Sequence, residues 1–127
     1  MSYYFSKTLS TSLELAEPLV REALKAEGFG VLTEIDIRQT LKNKLDVDFR
    51  PYKILGACNP PLAYKALQSE SHIGLMLPCN VILQEVSGGT EVSAVDPVAS
   101  MAAVENDGLG DVATEVRSRL QRVIASL

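Results

Sequence analysis

Two cysteines share one local setting: an apolar run, the thiol, then asparagine. "ILGACNPPL" carries Cys58 before Asn59, and "MLPCNVILQEV" carries Cys79 before Asn80. A thiol so placed can act as a nucleophile, as half of a redox pair or as a soft-metal ligand. Cys58 precedes Asn59-Pro60, a helix start, because asparagine caps the first turn and proline suits the first helical position. The free amides and dipole of a helix start favour thiolate over thiol. The plainer alternative has Cys58 alternating with Ile54 and Gly56 into the core as a small hydrophobe. Cys79 follows Pro78, which lacks a backbone donor and so marks a sheet edge, a bulge or a bend. In an extended chain it shares a face with Val81 and Leu83, again a core-like pattern.

His72, the only histidine, lies between the thiols in the chain. Two thiolates and an imidazole suit zinc or another soft metal, but the spacing matches no CxxC pair, finger or ribbon, so no metal is assigned. A dithiol redox role needs alpha carbons roughly 4.4–6.8 Å apart, which spacing does not fix. Cys58 with His72 as base lacks a third, orienting group. Asn80 and Asp36 complete the candidates, Asp36 being placed mid-strand on the less apolar face. The "GFG" at 28–30 lacks a Gly-Lys-Ser/Thr ending and precedes a strand, so it is no phosphate loop. No motif names a cofactor or a reaction.

The elements that must position these groups follow from periodicity. "YYFSKTL" (3–9) is aromatic and alternating, as in a half-buried strand. Thr11 and Glu14 have capping-box spacing, and Leu13, Ala16, Val20, Ala23 and Leu24 form a helical stripe that Gly28 stops. Pro18 should disturb that helix's first third. "GVLTEIDIR" (30–38) alternates, with Val31, Thr33, Ile35 and Ile37 on one face. "QTLKNKL" reads as a short helical turn, "YKILGAC" as a strand, and the segment after Asn59 as a helix with Leu62, Ala63, Ala66 and Leu67 inward. Ile73 to Val86 reads as extended and broken by Pro78; "SGGT" is a hairpin turn and "EVSAVD" the returning strand. Asp96-Pro97 starts a short helix through Val104, and a final amphipathic helix runs from Leu109 to Leu127, with Arg117, Arg119 and Arg122 on its solvated side. The tyrosines at 3, 4, 52 and 64, with Phe5, could line an apolar groove.

This order predicts one α+β domain over residues 1–127: a two-layer sandwich, with two long amphipathic helices on one face of a mostly antiparallel sheet. The sheet's other face then needs water, a ligand or a second copy of the chain. With 127 residues, 46% hydrophobic and 22% charged, the chain can bury a real core. A net charge of −4 gives no electrostatic footprint for nucleic acid. No run approaches a membrane span and no secretory signal opens the chain, so the expected compartment is the cytoplasm.

"EGFGVLTEIDIRQTLKNKLDVDFRPYKILGACNPPLAYKAL" and "IGLMLPCNVILQEV" resemble the domain of unknown function 302 family across nearly the whole chain. The resemblance implies a compact α+β domain, often dimeric, with no established activity. The expected function is a homodimeric, non-catalytic module that binds a small ligand or partner on the exposed sheet face or its rim. The alternative is a thiol-dependent redox or metal-binding protein centred on Cys58 and Cys79.

Overall fold

The structure is a computed structural model describing residues 2–127. Its five strands are β1 (Tyr4–Leu9), β2 (Gly30–Asp36), β3 (Tyr52–Cys58), β4 (Cys79–Val86) and β5 (Gly89–Val95). They form one antiparallel sheet in the order β1-β5-β4-β3-β2. The helices are α1 (Leu13–Ala26), α2 (Ile37–Leu45), α3 (Pro60–Ser69), α4 (Pro97–Ser100) and α5 (Gly110–Ser126), with 3-10 turns at Ser71–Met76 and Asp107–Leu109. This is the expected α+β sandwich.

Cross-strand register decides which face is buried. Phe5, Ala94, Val81 and Leu55 oppose one another in a row across four strands. That row packs on Ala16, Val20 and Leu24 of α1 and on Val116, Leu120 and Val123 of α5. Leu24, Leu55, Leu83 and Leu120 are completely buried, each contributing roughly 1.5–3 kcal/mol over an exposed side chain. The row one residue along, Ser6, Ser93, Ile82, Ile54 and Ile35, points to the opposite side and joins neither buried cluster.

The long helices end where local chemistry stops them. Ser12, rather than Thr11, caps α1 by accepting from the Leu15 amide at 3.3 Å. Pro18 lies inside α1, which stays continuous. Gly28, at φ +85°, takes the left-handed position that lets the Gly28 and Phe29 amides reach the carbonyls of Lys25 and Leu24 at 3.0 and 2.9 Å. The arginines of α5 are not merely solvated. Arg119 Nη1 donates to the Glu27 carbonyl at 3.0 Å, and Arg122 meets the Glu27 carboxylate at 3.0 Å. Arg117 meets Asp96 at 3.1 Å. The last turn of α1 is thereby tied to α5.

Several local expectations are corrected. In β2 a register shift between Val31 and Thr33 breaks the alternation: Val31 pairs with the inward Ala57, while Thr33 and Ile35 pair with Gly56 and Ile54 on the other face. Ile37 belongs to α2, which is nine residues long rather than a short turn. Residues 73–76 are not extended; they belong to a 3-10 turn whose Ile73 is buried in a second cluster with Ala66, Met101, Leu109 and Ala113. The helix after Asp96 ends at Ser100, not Val104. Leu67, expected inside α3, is 45% exposed.

Candidate functional site

The two thiols come together at one end of the sheet. Cys58 is the last residue of β3, Cys79 is the first of β4, and Ala57 pairs with Cys79 across the ladder. Both line an apolar cavity of about 300 Å³ at this rim. The start of α3, the first half of α5, the loop end at Leu77 and Pro78, and Met101 make its walls. Leu32, turned out by the irregularity in β2 and 68% exposed, also lines it. The volume is at the lower edge of that of small-molecule pockets.

Cys79 shares its inward face with Val81 and Leu83 and is buried, as its alternation implies. The phase expected for Cys58 is corrected. Leu55 and Ala57 are the inward residues of β3, so Ile54 and Gly56 point to the open face. Cys58 is only half-buried. At Gly56 a Cβ would stand 2.1 Å from Thr33 Oγ1 and 2.7 Å from Pro78 Cγ. The missing side chain leaves room for Thr33 and Pro78 to lie close over this end of the sheet.

Burial pushes both thiols up: Cys58 through burial alone, Cys79 to about 11 through burial first and the nearby Cys58 second. That is the reverse of an activated cysteine, whose surroundings lower its pKa. Asn59, beside Cys58, is buried and caps α3, its Oδ1 accepting from the Leu62 amide at 3.3 Å.

The remaining candidates lie elsewhere. His72 sits on the 3-10 turn with its side chain 83% exposed, 3.4 Å from Glu70, and does not line the cavity. Asp36 is corrected from mid-strand to the end of β2, where it caps α2 by accepting from the Gln39 amide at 2.9 Å. Because β2 runs from Gly30 beside Cys58 to Asp36 beside Lys53, Asp36 and the thiols are at opposite ends of the sheet. Asn80 is exposed on the open face, opposite Gly56. Among the described residues, no three histidine, cysteine or acidic side chains form a group that could hold a metal.

The open face carries its own shallow groove of about 460 Å³, where Tyr3, Tyr4, Tyr52, Asn80 and Ile82 are among the lining residues. Three of the tyrosines expected to line a groove do so; Tyr64 lies on α3, away from it. Met101 lines the rim cavity together with the two cysteines, although no spacing in the chain connects it with them.

The chain matches the family described as domain of unknown function DUF302 over residues 5–127. An uncharacterized conserved DUF302 protein from Bacillus stearothermophilus, known from a crystal structure, is 27% identical, with a TM-score of 0.91 over 98% of each chain. No curated protein matches.

Proposed function

The chain belongs to the DUF302 family, and from that premise we propose that it is a non-catalytic binding domain that acts as a homodimer in the cytoplasm. The observation that carries this reading is the uncovered sheet face, whose apolar centre of Ile35, Ile54 and Ile82 packs under neither buried cluster. Tyr3 and Tyr4 extend it, at 67% and 44% exposure. Five strands about 4.8 Å apart and roughly 20 Å long give a flat area on the order of 500 Å². With side-chain relief, this approaches the ~800 Å² per partner of a stable interface. A second copy of this chain is the proposed occupant, which leaves the rim cavity as the seat for a small ligand.

A binding role fits the placement of the reactive groups. His72 and Asp36 lie away from the thiols, and both thiols are pushed up rather than down. The two unbridged cysteines suit a reducing compartment. Sedimentation velocity tests the dimer: the wild type should sediment as two copies and Ile82→Lys as one, with an unchanged circular dichroism spectrum. A wild type that stays monomeric at high micromolar concentration would overturn the reading.

A further inference from the structure

The rim cavity beside the first turn of α3 offers a guest no charged side chain and no free helix-start amide. Among the described residues, no acidic, basic or imidazole group lines its volume of about 300 Å³. Asn59, the one side-chain amide there, is engaged at both ends. Its Oδ1 accepts from the Leu62 amide at 3.3 Å, and its Nδ2 donates to the Glu27 carbonyl at 3.4 Å. Burial pushes the Cys58 and Cys79 thiols up, so both are neutral at pH 7. The helix start is closed as well. Pro60 and Pro61 at the head of α3 carry no N–H. Asn59 holds the Leu62 amide, and the Ala63 amide donates to the Asn59 carbonyl at 2.8 Å.

We propose that this cavity binds the uncharged alkyl part of a small ligand, roughly ten to twelve carbon atoms long. The proposal rests on the rim cavity being the small-ligand seat and names the chemistry that the seat takes. An apolar cavity of about 150 Å³ holds one benzene, and the rim cavity is about 300 Å³, so it takes about twice as many carbons. Phe29 is the one ring among the described lining residues, so stacking offers a planar guest little. Leu62, Leu77, Val112 and Val116 present aliphatic walls instead, and the unbranched Met101 thioether adapts to an irregular guest. An ion or a polar head drawn inside would lose its water and find no partner. A charged end therefore stays in solvent, beyond Leu32 and Leu67, which line the cavity and are exposed.

The test is a chemical-shift titration of the isotope-labelled, full-length chain with straight-chain alcohols from hexan-1-ol to dodecan-1-ol. The amides of Ala66, Cys79 and Ala113, which line the cavity, should move. Affinity should rise about fourfold per added methylene until the cavity is filled, then level off. Two kinds of substitution move that limit in opposite directions. Ala63→Phe, at a half-buried wall position, should shorten the longest chain that still gains affinity. Met101→Ala, or the milder Val112→Ala, should lengthen it by about one to three carbons. Unchanged circular dichroism spectra check the fold of each variant.

Affinity that ignores chain length, or a limit that none of these substitutions moves, would overturn the proposal. Octanoate binding at least about tenfold tighter than octan-1-ol would overturn it too, because charge would then carry recognition. Rim amides that moved with octanoate alone would keep the small-ligand seat and remove the alkyl class. If neither the alcohols nor octanoate moved them, the seat and its chemistry would both fall.

Discussion

Thiol reactivity measures the rim's chemistry directly. Burial, with the neighbouring Cys58 adding to it, raises the Cys79 thiol from an ordinary 9.0 to about 11. At pH 7 that lowers the thiolate fraction from about 1 in 100 to about 1 in 10,000. A more basic thiolate is a better nucleophile, and a Brønsted slope of about 0.4–0.5 recovers roughly tenfold of the loss. Titration alone therefore leaves Cys79 about tenfold slower than an ordinary thiol. Access adds to this, because the side chain is 6% exposed and a reagent must wait for local opening. Cys58 is raised by burial too, but it is half-exposed. Iodoacetamide at pH 7, with each peptide followed by mass spectrometry, should label Cys58 first. Cys79 should lag an unfolded-chain thiol by at least about tenfold, and denaturant should make the two equal. If Cys79 in the folded chain reacted as fast as an unfolded thiol, burial would not control its chemistry. The case against an activated nucleophile at the rim would then fail.

Two further substitutions probe the supports of the sheet. Gly56→Ala would put a methyl group into contact with Thr33 and Pro78, so chemical denaturation should show a loss of about 1–3 kcal/mol. At the other end, Lys53 Nζ lies 2.7 Å from both Glu17 and Glu34, and Arg21 lies 2.9 Å from Glu17. Burial alone would raise the Glu17 carboxyl, but the hydrogen bonds from Lys53 and Arg21 outweigh it and hold the group below its ordinary 4.5. Its contribution is therefore complete above pH 4.5 and is lost as pH falls through the depressed value. Lys53 is raised above 10.5, chiefly by its hydrogen bond to Glu17, so its contribution is lost only as pH rises beyond 10.5. Lys53→Met should cost up to about 1 kcal/mol at neutral pH and flatten the loss of stability as pH falls below 4.5. Urea midpoints measured across pH would show an unchanged acid limb if the cluster contributed nothing.

Fold class was legible because each long element carries one unbroken pattern. The stripe of α5, from Ala113 through Val116 and Leu120 to Ile124, is buried as its spacing requires. The Asn59-Pro60 start and the Gly28 stop are used as their chemistry dictates. The sequence misleads where a pattern breaks within one or two residues. In β2, Val31, Thr33 and Ile35 look like one face until the register shift moves Val31 to the other. In β3, "YKILGAC" has apolar residues at both parities, so alternation cannot choose between Ile54 and Leu55; the helices choose Leu55. Asp36 looks like a strand residue because "EIDIR" alternates, yet the free amides of α2 recruit it as a cap. Ile73 belongs to an apolar run, but tertiary packing over Ala66 and Met101 winds it into a 3-10 turn.

The shared Cys-Asn dipeptide was the first hint of a site, yet the two copies are structurally unlike. Asn59 is a buried cap, while Asn80 stands exposed on the open face. What unites the cysteines is strand direction. β3 and β4 are antiparallel neighbours, so the last residue of one and the first of the next must meet at the same edge of the sheet. α3 and the 3-10 turn form the connection between them, carrying the chain away from the sheet and back to the same end. Topology thus brings Cys58 and Cys79 to one end of the sheet, and Met101, which closes α4, lines the same cavity. A search of the chain for closely spaced thiols misses this juxtaposition, because it is set by the ladder and not by sequence spacing.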